Sequence, residues 1–246
     1  RRQRQMCIRD RFNKQHGVGV GFFNEGIGFF RNQRFFGQYA YQMKIRKGKL
    51  GIGLQVGMLT VSFDPSDINL GDETDDEAFP TAAESGMAVD LGLGGYYSHP
   101  KFYAGFSAHH LTAPRVSLGD KSQIKIHPIF YLTGGYNIQT RNPLISIQPS
   151  MQLQSDFTST RLDVTGRLFY TYHSRVLSGG LTYSPDTSVT FSFGLTVRGV
   201  TLGYAYECFT SKIGVASGSH DLVVRYALDL NVFKKNRNLH KSVRIL

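Results

Sequence analysis

The sequence has few cysteines, no tryptophan and no long hydrophobic run. Its two cysteines, Cys7 and Cys208, cannot form a disulfide framework, and nothing near either of them supplies a metal-ligand spacing. No run of roughly 18 apolar residues exists, so a membrane-spanning helix is excluded. A Walker-type phosphate loop, a nucleophile elbow and an HExxH zinc motif are also missing. The sequence therefore contains no recognised catalytic signature.

Glycine and aromatic residues are abundant instead. Among 246 residues there are 27 Gly, 13 Tyr and 18 Phe, and the apolar fraction is 41%. This composition favours strands and turns over a helical fold rich in Leu and Ala. No Pro- or Ser-rich linker divides the chain, which indicates one domain. The mean hydropathy of −0.22 is typical of a soluble protein, but the alternating faces of a membrane β-barrel average to similar values.

The N-terminal stretch RRQRQMCIRDR, residues 1–11, differs from the rest of the chain. It has no apolar core, so it is not a signal peptide, and it resembles a translated sequencing adapter. We therefore interpret residues 1–11 as non-native and leave them out of the fold prediction. On this interpretation the true N-terminus, with any signal peptide and first strands, is missing.

Apolar and polar residues alternate along most of the chain. In DLVVRYALDL, residues 221–230, Leu222 and Val224 share one face while Val223 and Arg225 share the other. Patterns of this kind predict about twelve strands that follow one another as hairpins. They lie at residues 16–23, 34–46, 49–62, 87–98, 101–111, 127–139, 145–155, 161–173, 175–184, 188–198, 200–208 and 220–231.

The lengths of the strands and of their connections indicate what the strands cross. Many predicted strands have roughly 9 to 13 residues, the length that a tilted strand needs to cross a bilayer. Short turns alternate with connections that are long at 63–86, 112–126 and 209–219, moderate at 156–160 and short only at 185–187. In membrane β-barrels the periplasmic turns are short and the outer loops are long. The direction of the chain then leaves residues 232–246 on the periplasmic side.

A soluble antiparallel barrel or sandwich would also show hairpins and alternation, with its apolar face inward. The polar faces of this sequence, however, are poor in charge, and several apolar faces end in Tyr or Phe, as in an aromatic girdle. We therefore predict an all-β fold, a transmembrane antiparallel up-and-down β-barrel with about 12 strands visible here and about 14 in the complete protein. Residues 12–231 form this barrel, and residues 232–246 form a basic periplasmic tail.

Five charged residues lie opposite the apolar faces of their predicted strands, so we expect them to point into the lumen. They are Asp163, Arg167, Arg198, Arg225 and Asp229. One interpretation is an internal ion-pair network that fills a narrow barrel, since buried charges need partners. The other interpretation is a charged constriction that selects a solute. The sequence leaves both open.

The segment 64–86 is acidic and contains no Lys or Arg, so we predict a solvated outer loop. Clustered carboxylates suit calcium, although their spacing is not that of an EF-hand. The candidate residues are Asp72, Glu73, Asp75, Asp76 and Glu77. His109 and His110 resemble a pair of metal ligands, but adjacent strand residues point to opposite faces. We therefore assign no metal site.

The net charge of +10 does not indicate nucleic-acid binding, because the basic residues are scattered over turns and strand ends. The only dense basic cluster is in the tail. It consists of Lys234, Lys235, Arg237, Lys241 and Arg244. Anionic lipid headgroups and a protein partner are both candidate ligands. The apolar end of the tail, with Val243, Ile245 and Leu246, favours a protein partner.

Several stretches between residues 16 and 246 carry a family resemblance. They are GVGVGFFNEGIGFFRNQRFFGQYAYQMKI at 17–45, LGIGLQVG at 50–57, FYAGFSAHHL at 102–111, KIHPIFYLTGGY at 125–136, ISIQPSMQLQ at 145–154, LGYAYE at 202–207 and SGSHDLVVRY at 217–226. In order and spacing they resemble the PorP/SprF outer-membrane proteins of the Bacteroidota type IX secretion and gliding machinery. The final HKSVRIL also resembles the basic ending of these proteins.

This resemblance implies a non-enzymatic β-barrel, without cofactor, in the outer membrane of a Gram-negative member of the Bacteroidota. Such a protein supports secretion or surface attachment of cargo such as gliding adhesins. The implied partners are outer-membrane lipid, the periplasmic ring and motor proteins, and the secreted cargo or adhesin, with no nucleic acid. Two alternatives stay open at this point. One is a porin-like or hydrophobic-solute transport channel, and the other is a soluble lipid-binding barrel.

Overall fold

The computed structural model describes residues 2–12, 15–64, 84–118, 122–210 and 218–226, with the backbone alone for 2–12, 118 and 122. These ranges fold into strands joined by turns and loops. The strands are β1 (Arg2–Phe12), β2 (His16–Ile27), β3 (Phe30–Ile45), β4 (Gly48–Phe63), β5 (Glu84–Ser98), β6 (Phe102–His109), β7 (Arg115–Leu118), β8 (Ser122–Lys125), β9 (Ile129–Tyr136), β10 (Ile138–Gln139), β11 (Ile145–Ser155), β12 (Thr160–Tyr172), β13 (Arg175–Ser184), β14 (Ser188–Val197), β15 (Val200–Phe209) and β16 (Ser219–Tyr226). The described residues form no helix that is long and apolar enough to span a membrane.

Nearly all of these strands belong to one antiparallel sheet. Its order is β1-β2-β3-β4-β5-β6-β9-β11-β12-β13-β14-β15-β16, and the short β10 pairs with β11 beside this path. Each strand of the path therefore pairs with the strands that precede and follow it along the chain, apart from the excursion through β7 and β8. The predicted all-β, antiparallel up-and-down architecture is confirmed.

The path contains β1, which the sequence prediction left out, so it has one strand more than the twelve expected. β1 pairs with β2 along its whole length, from Arg2↔Gly26 to Phe12↔His16. Strand pairing uses backbone groups, so the free edge of β2 accepts a strand of almost any sequence. The interpretation of residues 1–11 as non-native stays a prediction.

The two faces of the sheet differ in exposure, as β4 shows. Leu54 and Val56 are 45% and 47% exposed, whereas Gln55 between them is 7% exposed. Side chains of a strand alternate between faces, so the apolar residues of β4 lie on the exposed face of the sheet. We call this the outer face and the face with Gln55 the inner face.

The same arrangement holds around the sheet. Representative large apolar side chains on the outer face of strands β2 to β15 are between 47% and 62% exposed. Examples are Val20, Phe35, Met58, Val89, Phe106, Leu132, Met151, Leu168, Leu181, Phe193 and Leu202. A soluble barrel would bury these side chains, because exposed apolar area costs free energy in water. The soluble alternative is therefore wrong, and the exposed apolar surface is the lipid-facing surface of a membrane protein.

Connections differ between the two ends of the sheet, as predicted. At the end that we call the short-turn end, two-residue turns join β3 to β4, β12 to β13 and β14 to β15. The first residue of each turn, Arg46, His173 or Arg198, has a left-handed φ of 53°, 52° or 48°, as tight hairpins require. At the opposite, long-loop end, 64–83 joins β4 to β5 and 110–128 joins β6 to β9.

The turn between β11 and β12, at the long-loop end, is closed by Asp156. Its Oδ1 accepts hydrogen bonds from the backbone N–H of Ser159 at 2.6 Å and of Thr158 at 2.9 Å. These bonds hold the pKa of Asp156 below its ordinary value, because they stabilise the ionised carboxylate.

The segment after β6 folds back onto the sheet. β7 and β8 form a hairpin in which Arg115 pairs with Lys125 and Leu118 with Ser122. Val116 of this hairpin is fully buried and packs with Leu59 and Val61 of β4. The hairpin therefore covers part of the inner face near the long-loop end.

Candidate functional site

A cluster of charged and hydroxyl side chains lies on the inner face across β12 to β15. Arg161 Nε donates to Asp163 Oδ1 at 2.8 Å, and Arg161 Nη2 lies 3.4 Å from Glu207 Oε1. One guanidinium thus bridges two carboxylates. We call this set, completed by Ser184 and Ser188, the Arg161 cluster.

The two serines of the Arg161 cluster are buried. Ser184 Oγ donates to Asp163 Oδ1 and Ser188 Oγ donates to Glu207 Oε1, each at 2.5 Å. Both serines are 0% exposed and face each other across the β13–β14 turn. Hydrogen bonds to ionised carboxylates are stronger than those between neutral groups. The cluster therefore fixes the geometry of four neighbouring strands and presents no free nucleophile.

The local sequence explains how the cluster forms. Arg161 and Asp163 are two residues apart on β12, so they share a face. Glu207 lies in register with Thr190 of β14, which in turn is in register with Thr182 of β13. Because residues in register share a face, Glu207 reaches the same side of the sheet as Arg161.

A polar groove of about 310 Å³ lies next to the cluster on the inner face. It is lined by Tyr103, Thr133, Ser150, Met151, Gln152, Asp163, Thr165, Arg167 and Thr182. Most of these groups are hydroxyls or amides, and Thr165 and Thr182 hydrogen-bond each other at 2.9 Å. The groove therefore offers hydroxyl and amide groups, one carboxylate and one guanidinium to water or a solute.

The structure places the five predicted lumen charges in different surroundings. Asp163 and Arg167 both line the groove, and Asp163 is part of the Arg161 cluster. Arg225 of β16 lies in register with Thr201 of β15. Arg198 occupies the β14–β15 turn and not a strand face. Asp229 lies outside the described residues.

Sequence reasoning missed Arg161 and Glu207, which hold Asp163 in place. Both lie near the long-loop ends of their strands, at the first residues of β12 and the last residues of β15. The alternation of β12 and β15 does assign both residues to the polar face. Their contact, across 46 residues of sequence, depends on strand register.

A second group of polar side chains lies on the inner face around Asp90. This carboxylate is 1% exposed, and its Oδ1 lies 3.1 Å from His110 Nδ1. The expectation for His109 and His110 assumed that both belong to a strand. β6 ends at His109, and His110 has a φ of 57°, which leaves the two rings 6.5 Å apart.

Arg34 belongs to the same inner-face region. Its guanidinium lies over the rings of Phe23 and Phe36, at 5.4 and 5.5 Å from their centroids. Such cation–π contacts stabilise a cation that is removed from water. Arg34 and Phe36 lie on the same face of β3, and Phe23 is in register with Arg34.

No set of three or more His, Cys, Asp and Glu side chains in the described ranges is placed to hold a metal ion. Two groups of predicted residues lie outside these ranges. The acidic candidates are Asp72, Glu73, Asp75, Asp76 and Glu77, and the tail candidates are Lys234, Lys235, Arg237, Lys241 and Arg244.

Comparison with known proteins gives two findings. Among solved structures, two mutant forms of the Rh. blastica porin each match with 10% sequence identity and a TM-score of 0.36, covering 91% of this chain and 89% of the porin chain. No curated protein matches the chain significantly. A family model described as "Type IX secretion system membrane protein PorP/SprF" matches residues 4–226, which is most of the chain. The chain therefore belongs to the PorP/SprF family of type IX secretion system membrane proteins.

Proposed function

We propose that this protein is a non-enzymatic outer-membrane β-barrel component of the type IX secretion system of a Bacteroidota species. It supports secretion or surface attachment of cargo proteins such as gliding adhesins. The observation that carries the proposal is the family match over residues 4–226 on a chain whose apolar side chains face outward.

Aromatic side chains on the outer face support the outer-membrane location. Phe102 and Tyr136 face outward in register with each other, and both lie at the short-turn ends of β6 and β9. Tyr170 and Tyr172 of β12 lie at the same end and are 40% and 52% exposed. Girdles of aromatic residues at the membrane interface are typical of outer-membrane barrels.

The loops at the long-loop end are the proposed contacts for cargo. Of the three predicted outer loops, 112–126 contains the β7–β8 hairpin, which packs on the inner face. That packing leaves 63–86 and 209–219 as the stronger candidates. Most of these two loops lies outside the described residues, so their role rests on charge and chain direction.

The basic tail is the proposed contact for the periplasmic ring and motor proteins. β16 runs from the long-loop end toward the short-turn end, as its antiparallel pairing with β15 requires. Residues 232–246 therefore follow a strand that ends on the predicted periplasmic side. A tail with basic residues and an apolar end suits a protein partner better than lipid alone.

A truncation tests this role of the tail. A strain that lacks the gene is complemented with the full chain or with a chain that ends at Asn231, and secreted and surface cargo is quantified. We expect the truncated barrel to reach the outer membrane at normal abundance while cargo secretion fails. A third chain, with Gln at the five basic tail positions, separates the effect of charge from that of the apolar end.

Two results would contradict the proposal. Normal secretion by the chain that ends at Asn231 removes the tail from the mechanism. Normal gliding and a normal set of surface proteins in the gene-deletion strain would contradict the membership of this protein in a working secretion machine.

A transport channel is the second candidate function. The groove beside the Arg161 cluster favours it, because Asp163 and Arg167 place opposite charges on a polar inner face. Swelling of liposomes that contain the purified protein, measured with sugars and amino acids of increasing size, tests this function. Swelling at the rate of protein-free liposomes would exclude a permanently open channel.

A further inference from the structure

The β7–β8 hairpin sits on an apolar patch of an otherwise polar inner face. Val116 is 0% exposed, and Leu59 and Val61 beneath it are 7% and 4% exposed. Ala88, Ile124 and Ile126 surround these three side chains. We call the patch of β4 and β5 under the hairpin the seat.

The apolar pattern of β4 changes sides at the seat. Up to Met58 the outer face is apolar, whereas Leu59 and Val61 place apolar side chains on the inner face. Thr60, between them, then faces outward. Apolar side chains on a water-filled inner face would cost free energy unless another element covered them. The pattern of β4 therefore matches the presence of the hairpin.

Gly86 of β5 shows that the hairpin is fitted closely to the seat. It lies in register with Val61 on the inner face. A Cβ atom at this position would overlap the carbonyl oxygen of Ser117 and would lie 2.5 Å from Val116 Cγ1. Only glycine permits this approach of two backbones. Any larger residue at position 86 displaces the hairpin.

The chain that leads into the hairpin is also attached to β5. Leu111 N–H donates to the carbonyl oxygen of Leu91 at 3.0 Å, and Thr112 Oγ donates to that of Val89 at 2.9 Å. His110 and Ala113 have left-handed φ angles of 57° and 43°. Such angles are unfavourable for residues other than glycine and persist when the surrounding contacts fix them.

We propose that the β7–β8 hairpin is a releasable plug, which covers the inner face at the long-loop end and prevents solutes from passing while it is docked on the seat. Release breaks the contact between Val116 and the seat and opens the inner face. The inference concerns solute passage and stands apart from the proposed role in secretion, because its tests use the purified protein without any secretion partner.

Thiol labelling tests the docking. In a chain with Cys7 and Cys208 replaced by Ser, Val116→Cys provides one thiol under the hairpin, and a hydrophilic maleimide reports its exposure. We expect slow labelling that Gly86→Leu accelerates at least about tenfold, because overpacking shifts the hairpin toward the released state. Gly95→Leu is the matched control, since Gly95 lies on the outer face of the same strand with no atom within 4 Å of its Cβ position. Equal labelling rates in the parent, Gly86→Leu and Gly95→Leu chains would overturn the docked state.

Conductance tests whether the docked hairpin is a plug. Val116→Asp buries an unpaired charge against the seat and leaves the sheet unchanged, whereas Ser117→Asp adds the same charge on the exposed side of β7. In planar bilayers we expect larger or more frequent openings for Val116→Asp than for the wild type, with Ser117→Asp equal to the wild type. If Val116→Asp conducts no more than the wild type, or if neither conducts, the hairpin is not a plug. This holds even if the labelling experiment shows that the hairpin is released.

Discussion

An arginine on either face of β11 tests which face of the sheet meets lipid. Met151 lies near the middle of β11, faces outward and is 52% exposed. An arginine at the bilayer midplane of a membrane barrel costs about 2–4 kcal/mol, and near the interface about 0–1 kcal/mol. We expect Met151→Arg to fall in the larger range, because its position is central in the strand.

Gln152→Arg is the matched control, since the next residue carries the same new charge to the inner face. Gln152 lies in register with Asp163, which offers the added guanidinium a carboxylate. We expect this variant to change the free energy of unfolding by no more than about 0.5 kcal/mol.

Unfolding of both variants from lipid vesicles by urea measures the difference. The chain has no Trp, so far-UV circular dichroism follows the loss of strand structure. With an m-value of about 2 kcal/mol/M, Met151→Arg lowers the midpoint by about 1–2 M. Equal midpoints for Met151→Arg and Gln152→Arg would refute the assignment of the outer face to lipid.

Three further predictions concern the packing of the sheet and its turns. Arg161→Met leaves the carboxylates of Asp163 and Glu207 without a shared cation. It should lower the free energy of unfolding in urea by only about 1 kcal/mol, because the partly exposed guanidinium is screened by solvent. Arg161→Lys keeps a positive charge and should lose less stability than Arg161→Met. Gly21→Ala should destabilise the sheet by about 1–3 kcal/mol, because its Cβ would lie 2.6 Å from Cε2 of Phe36, whereas Gly26→Ala meets no atom within 4 Å and should be neutral. Asp156→Ala should speed proteolysis of the β11–β12 turn, and lowering the pH through the depressed pKa of Asp156 should do the same to the wild type, because protonation removes the stabilised carboxylate.

The strands of the second half of the chain could be predicted closely from alternation alone. β13 has the predicted bounds of 175 and 184, β14 differs from prediction by one residue at its end, and β12 is shifted by one residue at both ends. Each of these strands is long and has one apolar face, so a period of two is visible over its whole length.

The elements that prediction missed lack such a pattern. β7 and β8 have four residues each, too few for a period of two to appear, and they form because Val116 fits the seat. The contacts of Arg161 with Glu207 and of His110 with Asp90 depend on register and on where β6 ends. Sequence periodicity assigns a residue to a face but does not determine its height along the barrel, so these partners could not be paired in advance.

The reversal of apolar pattern along β4 also locates the membrane surface relative to the loops. From Gly48 to Met58 the strand rises by about 25 Å, at about 3.3 Å per residue and a tilt near 40°, which is the height of the apolar band of an outer-membrane barrel. Leu59 to Phe63 then continue beyond the lipid into the aqueous phase. A collar of paired strands therefore separates the bilayer surface from the long loops, and it presents polar groups on its outer side where Thr60 and Ser62 face outward.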